Sequence, residues 1–83
     1  MQVKLFYKTQ RELAVSLNGI VDAYWNNEIN EDTLIQNVQD VYINNPSKML
    51  KEEDFTKVLQ QQCGKRRLEV IDRIIKGGVE IRS

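Results

Sequence analysis

Two apolar stripes, one on each side of Gly64, constrain the fold of this 83-residue chain more than any other feature. Both stripes repeat at helical spacing within residues 54–76, but their centres lie about 160° apart at about 100° per residue. A single straight helix would therefore have to bury two opposite faces. The sequence predicts a turn or kink at Gly64, because glycine tolerates backbone conformations that other residues rarely adopt. The two stripes are Phe55, Val58, Leu59, Cys63 and Leu68, Ile71, Ile74, Ile75.

Two further helices are predicted in the first half of the chain. Thr9 and Glu12 have capping-box spacing, in which the Thr9 hydroxyl accepts from the Glu12 amide and the Glu12 carboxylate reaches back to the Thr9 amide. This box begins a helix over residues 10–26. Asn30 caps a second helix, which ends before Pro46 because proline disfavours helical conformation at the residue preceding it. The apolar stripes of these helices are Leu13, Leu17, Ile20, Val21, Tyr24 and Leu34, Ile35, Val38, Val41, Tyr42.

These patterns predict an all-α fold in a single domain over residues 1–83. The expected architecture is a compact bundle of about four helices, in which an antiparallel helix hairpin packs against a helix pair broken at Gly64. Residues 46–54 are predicted to be a polar linker with an apolar pair, Met49-Leu50. Residues 1–8 and 77–83 include β-prone runs that either pair as strands or form extended or frayed ends. We favour an extended N-terminal arm packed on the helices.

The composition excludes several classes of site. The chain has no histidine and one cysteine, so it has no Cys/His zinc site, no imidazole catalysis and no internal disulfide. We find no nucleotide-binding loop, catalytic elbow or metal motif, so the protein is predicted to be no enzyme and to need no cofactor. No apolar run reaches the ~18 residues of a membrane span, and the N-terminus lacks a signal-peptide layout. With the lone Cys63, these features predict a cytoplasmic protein without membrane contact.

Charge is unevenly distributed along the chain. Residues 1–56 carry five cations and nine anions, whereas residues 57–83 carry seven cations and three anions. Lys65, Arg66 and Arg73 are the candidate nucleic-acid-binding residues, because a glycine followed by a basic helix has the outline of a helix-turn-helix motif. The competing interpretation is a solvated helix face with i, i+4 ion pairs. Those pairs are Lys65–Glu69, Glu69–Arg73 and Asp72–Lys76.

Several single residues carry separate predictions. Arg67 falls on the apolar side of the last helix and is expected either to snorkel or to pair with an acid of the first half. Cys63 is expected to be a buried, inert thiol, and the alternative is a reactive thiolate beside the cations that follow it. Trp25 is a candidate exposed anchor for a partner. Val15, which lies opposite its own stripe, and Val70, which broadens the last apolar face, favour a homodimer or another protein partner.

Two segments of the chain carry a resemblance to a known family. YKTQREL at residues 7–13 and FTKVLQQQCGKRRLEV at residues 55–70 resemble a group of small hypothetical proteins of Firmicutes bacteria. The resemblance covers nearly the whole chain and implies a bacterial, cytoplasmic origin, but it assigns no role to any residue. Two functions therefore stay open, a protein-interaction module or homodimer on one side and a nucleic-acid-binding or regulatory protein on the other.

Overall fold

The computed structural model describes residues 4–52 and 54–77. Within them, four helices and one short antiparallel hairpin follow each other along the chain, which confirms the predicted, mostly helical bundle. The elements are α1 (Gln10–Trp25), α2 (Glu31–Asn44), α3 (Pro46–Met49), β1 (Leu50–Lys51), β2 (Asp54–Phe55) and α4 (Lys57–Ile75).

The core lies where the hairpin of α1 and α2 packs against α4, and α1 makes its most extensive contacts with α4. Every residue of the two stripes predicted for α1 and α2 is either buried or packed against this core. Each fully buried leucine or isoleucine contributes about 1.5–3 kcal/mol relative to an exposed one. The hydrophobic effect therefore selects the faces that helical periodicity predicts.

Side-chain caps fix where the first two helices begin. The Thr9 hydroxyl accepts a hydrogen bond of 3.0 Å from the Glu12 amide, as predicted. The second half of the predicted capping box is wrong, because the Glu12 carboxylate pairs with Lys4 Nζ at 2.6 Å instead. Asn30 Oδ1 accepts from the Thr33 amide at 2.9 Å, which confirms the predicted cap of α2.

The predicted break at Gly64 is confirmed. Gly64 has φ 79° and ψ 169° inside α4, so two helical segments meet at one non-helical residue. A helix end leaves backbone carbonyl groups without their usual donors. Here Asn18 Nδ2 donates to the Gln62 carbonyl at 2.9 Å, and Arg67 Nη1 donates to the Cys63 carbonyl at 3.3 Å. The residues buried before and after the break are Leu59, Cys63 and Ile71, Ile74.

The prediction of a polar linker over residues 46–54 is wrong. Pro46 begins the short helix α3, a position where proline is favoured because its missing N–H would have no helical acceptor. Met49, at the end of α3, is fully buried. The hairpin that follows places Leu50 opposite Phe55 in antiparallel register.

The last helix begins later than predicted. It starts at Lys57 rather than at residue 54, because Asp54 and Phe55 are taken by the second strand of the hairpin. The Thr56 hydroxyl accepts from the Leu59 amide at 3.4 Å and caps the helix. None of the helices in the described part of the chain is both long and apolar enough to cross a membrane.

The N-terminal arm, residues 4–8, has no regular secondary structure and packs on the helices, as favoured from the sequence. Tyr7 is only 6% exposed, and its hydroxyl lies 2.7 Å from Ser16 Oγ. The buried Asn45 side chain accepts from the Tyr7 amide at 3.4 Å and donates to the Leu5 carbonyl at 2.6 Å. Pairing of the two chain ends as strands involves residues 78–83, which lie outside the described residues.

Candidate functional site

A groove with a volume of about 480 Å³ lies between the β1–β2 hairpin and α4. This volume falls within the range of protein sites that bind ligands. Three partly buried apolar side chains, Leu50, Phe55 and Leu68, form its floor. Polar and mostly exposed side chains form the rim around this floor. They are Asp54, Gln60, Lys65, Glu69, Asp72 and Lys76.

Local structure brings these side chains together from two parts of the chain. The hairpin register sets Leu50 directly across from Phe55, so both side chains lie on the same face of the hairpin. The second helical segment of α4 supplies the other wall. Its lining residues recur every three or four positions, which places them on one helix face. They are Lys65, Leu68, Glu69, Asp72 and Lys76.

The rim carries both signs of charge, and only part of this charge is neutralised. Asp72 and Lys76 form an ion pair at 3.1 Å, as predicted. Among the described residues, Lys65 and Glu69 have no ion-pair partner within 4 Å, so the predicted pair between them does not form. Asp54 Oδ1 accepts from the Phe55 amide at 2.9 Å and has no cation beside it in the same part of the chain. The groove therefore offers an apolar floor beside one ammonium group and two carboxylates that have no ion-pair partner among the described residues.

The structure divides the three predicted nucleic-acid-binding residues between two places. Lys65, Arg66 and Arg73 are all exposed, but Lys65 lines the groove. The Arg66 guanidinium lies 5.6 Å from the centre of the Trp25 ring, in cation–π geometry. Arg73 follows Arg66 by seven positions and so shares its helix face. Within residues 4–52 and 54–77, the predicted Glu69–Arg73 ion pair does not form.

The Arg67 side chain links two helices of the fold. Its Nε and Nη2 atoms donate to the two carboxylate oxygens of Asp22, each at 3.0 Å. This bidentate pair joins α4 to α1 and confirms the prediction that Arg67 pairs with an acid of the first half. Hydrogen bonding to Asp22 raises the pKa of Arg67. The Arg67 guanidinium is thus held by a carboxylate, whereas neither Arg66 nor Arg73 has an ion-pair partner among the described residues.

Comparison with known proteins places the chain in a family. A family model described as "conserved hypothetical protein" matches residues 4–76. The chain belongs to this family. The match includes both segments on which the resemblance rests, whereas the predicted bacterial group stays a prediction. Comparison with curated proteins and with solved structures gave no match.

The range matched by the family model contains the whole candidate site. It runs from the N-terminal arm to Lys76, so it includes the hairpin, the Gly64 break and every residue that lines the groove. No group of three or more carboxylate, thiol or imidazole side chains able to hold a metal ion occurs in residues 4–52 and 54–77. In this member of the family, what the groove offers is an apolar floor and a charged rim.

The joint at Gly64 differs from the turn of a helix-turn-helix motif. Such motifs join two helices by a turn of about 3–4 residues, which lets the second helix enter the major groove of DNA. In this chain a single non-helical residue separates the two segments of α4. The glycine and the basic helix that suggested a helix-turn-helix motif are therefore present, but the turn between the two helices of that motif is not.

The three predicted partner-binding residues do not form one surface. Val15 is 58% exposed and Trp25 is 42% exposed, but they stand ten positions apart in α1, about 15 Å along the helix axis. Val70 is partly buried and packs against the core.

Sequence reasoning missed Leu50 and Phe55 as site residues. The available signal in the sequence was a pair of apolar positions, Leu50 and Phe55, on either side of a run of acidic residues.

Cys63 is a buried thiol, as predicted. It is 2% exposed, and its Sγ lies 3.9 Å from the Ala14 carbonyl oxygen in the core. Burial raises the pKa of this thiol to about 11, while the nearby Arg67 charge acts in the opposite direction. Burial has a larger effect on the pKa than the Arg67 charge has, so Cys63 is protonated near neutral pH and is a poor nucleophile.

This raised pKa predicts how stability changes with pH. The thiol pKa is higher in the folded state than the value of 9.0 for an exposed thiol, so its contribution to stability is complete below pH 9. It is lost as pH rises toward 11, by about 2 kcal/mol over this interval. Urea unfolding of the reduced protein from pH 8 to 11 measures the effect, and Cys63→Ala supplies the pH dependence of the protein without this thiol. Parallel curves for the two proteins would contradict the prediction.

Proposed function

We propose that this protein is a non-enzymatic protein-interaction module, which binds a segment of another polypeptide in the groove between the hairpin and α4. One observation carries the proposal, the apolar floor of Leu50, Phe55 and Leu68 enclosed by a rim of both charge signs. Protein interfaces concentrate their binding energy in apolar anchors that enter such pockets, and polar residues at the rim exclude water. A polypeptide segment can supply both an apolar side chain for the floor and polar or charged side chains for the rim, because neighbouring residues differ in polarity.

The charges of the groove favour a polypeptide over a nucleic acid as its ligand. The rim has three carboxylates and two ammonium groups, and the ion pair between Asp72 and Lys76 neutralises one of each. Asp54 and Glu69 then outnumber Lys65. A phosphate backbone needs a clear excess of cations, because neutralising its charge releases the counterions that drive binding. A segment with an apolar anchor beside a basic residue fits the remaining charge better.

A second candidate function is nucleic-acid binding or regulation through the basic last third of the chain. The observation that favours it is the stack of Arg66 on the half-exposed Trp25, with Arg73 on the same helix face. Aromatic rings combined with cations are the usual means of holding single-stranded nucleic acid. The predicted cytoplasmic location is compatible with either function and stays a prediction.

Selection of ligands from a displayed library of random peptides tests the first proposal. We expect the selected peptides to carry an aromatic or branched apolar residue beside a lysine or arginine. The variant Glu69→Arg, which changes an exposed rim residue, should weaken their binding at least about tenfold. The matched control Arg66→Ala/Arg73→Ala changes exposed charges outside the groove and should leave the affinity unchanged.

Two results would contradict the proposal. One is a selection that enriches no peptide, or only peptides that bind wild type and Glu69→Arg equally well. The other is tight binding of random-sequence DNA at low salt, with a log–log salt dependence that becomes about two units flatter in Arg66→Ala/Arg73→Ala. That second result would favour nucleic-acid binding, because each lost phosphate contact removes about one unit from the slope.

A further inference from the structure

We propose that the groove receives the N-terminal arm of a second copy of this chain, with Phe6 as its apolar anchor. This inference rests on the proposed function, because it names the occupant of the same groove.

Phe6 projects from a segment that the fold holds in place. Its side chain is 64% exposed, whereas that of the next residue, Tyr7, is almost completely buried. Asn45 binds the backbone on either side of Phe6, at the Leu5 carbonyl and the Tyr7 amide. An aromatic side chain fixed in this way loses little conformational freedom on binding, and phenylalanine can bury about 150–250 Å² of surface. Phe6 is therefore an exposed aromatic side chain on a fixed backbone, which suits it to bind in an apolar site.

Within one copy, the arm is engaged elsewhere and leaves the groove open. Among the described residues, its hydrogen bonds and its ion pair go to Glu12 and Ser16 of α1 and to Asn45. None of these residues lines the groove. The arm of one copy can thus keep all of its own contacts while Phe6 enters the groove of another copy.

The charges of the arm complement those of the groove. Lys8, two residues after Phe6, has no ion-pair partner within 4 Å in residues 4–52 and 54–77, whereas Lys4 already pairs with Glu12. At the rim of the groove, Asp54 and Glu69 likewise lack a cationic partner within this part of the chain. An aromatic residue followed by an available lysine is the kind of segment that this groove fits, because Asp54 and Glu69 outnumber Lys65 at its rim. Val15 and Ile43 are also exposed, but they lie within helices and have no lysine within two positions in the sequence.

The contact joins two different surfaces, so two copies can satisfy it reciprocally. Each copy then inserts one arm and accepts one arm, and a closed dimer with two identical contacts results. The contact is small compared with standard protein interfaces, so we expect a dissociation constant in the micromolar to millimolar range. This arrangement gives the predicted homodimer an interface other than Val15, Trp25 and Val70.

Complementation between two variants tests the proposal. Phe6→Ser removes the anchor and keeps the groove, whereas Glu69→Arg alters the groove and keeps the arm. In sedimentation experiments up to about 1 mM, we expect wild type to associate and each variant alone to stay near the monomer mass of 9.7 kDa. An equimolar mixture of the two variants should form a complex of twice that mass, because one intact arm and one intact groove remain in it. This complex should be weaker than the wild-type dimer, since it has one arm-to-groove contact instead of two. Far-UV circular dichroism of each variant verifies that the helices are retained.

Val15→Ser is the matched control, because Val15 is an apolar side chain of similar exposure outside the arm and the groove. It should associate like wild type. Loss of association in Val15→Ser, or a mixture of the two variants that stays monomeric, would overturn the arm-to-groove contact. A wild type that stays monomeric but still binds selected peptides in a Glu69-dependent manner would refute the second copy as occupant and leave the proposed function standing. Absence of both self-association and peptide binding would refute both.

Discussion

Gly64→Ala is expected to lower the free energy of unfolding by about 1–3 kcal/mol. An added Cβ atom at Gly64 meets no other atom within 4 Å, so the cost does not come from a clash. It comes from the backbone, because φ 79° with ψ 169° belongs to a region that is open almost only to glycine. The variant must either keep this strained conformation or move the two segments of α4 relative to each other.

Gly19→Ala provides the matched control for this experiment. Gly19 lies inside α1, and its added Cβ atom also meets nothing within 4 Å. In a regular helix, alanine is more favourable than glycine by about 0.5–1 kcal/mol, so this variant should be stabilised. In thermal unfolding, each kcal/mol corresponds to about 4–8 °C in a domain of this size. If Gly64→Ala were stabilised like Gly19→Ala, the break in α4 would be disproved.

Asn45→Ala is expected to lower the free energy of unfolding by about 2–4 kcal/mol. The buried Asn45 side chain accepts from the Tyr7 amide and donates to the carbonyl groups of Leu5 and Val41. Alanine would leave these groups without their partner, and each buried polar group that loses a hydrogen bond costs about 1–3 kcal/mol. The expected loss of stability is smaller than the three penalties added together. Release of the arm lets water form hydrogen bonds with some of the groups that Asn45 no longer binds.

Asn44→Ala is the corresponding control, since it deletes the same side chain one residue earlier. Among the described residues, Asn44 Nδ2 donates only to the Asp40 carbonyl of its own helix, so we expect a loss of less than about 1.5 kcal/mol. Urea unfolding measures both variants. Hydrogen exchange at the Tyr7 amide should accelerate in Asn45→Ala alone. Equal losses of stability in the two variants would show that Asn45 does not hold the arm.

The sequence predicted those parts of the fold that depend on neighbouring residues. Capping residues and apolar periodicity located α1 within one residue of its observed bounds, because the same hydrogen bonds and the same buried stripe form in the folded chain. The break at Gly64 followed from a mismatch of phase between two stripes. Both predictions use information that lies within one helix.

The residues around the hairpin show why the rest could not be predicted. Pro46 ends one helix and begins another, and the sequence alone supported only the first role. Strands of two residues are too short to show an alternating pattern, so the pairing of Leu50 with Phe55 had no periodic signal. The groove was missed for the same reason, since its floor exists only after this hairpin packs beside Leu68.

Predictions about charges failed where several partners compete. Of the three ion pairs expected on the surface of α4, only Asp72 with Lys76 forms among the described residues. Exposed pairs gain little free energy, so small differences in rotamer preference decide between them. The pairing of Arg67 was anticipated, but its partner Asp22 lies 45 residues away in the sequence and could be named only from the fold.

The extensive packing of α1 on α4 has a consequence for synthesis of the protein. A nascent chain that has released α1 and α2 from the ribosome still lacks α4, the helix with which α1 makes its most extensive contacts. Contacts between segments so distant in sequence require a large loop to close before the core is formed, which slows folding relative to local helix pairing. Until α4 leaves the ribosome, the apolar face of the first helix hairpin stays accessible to chaperones.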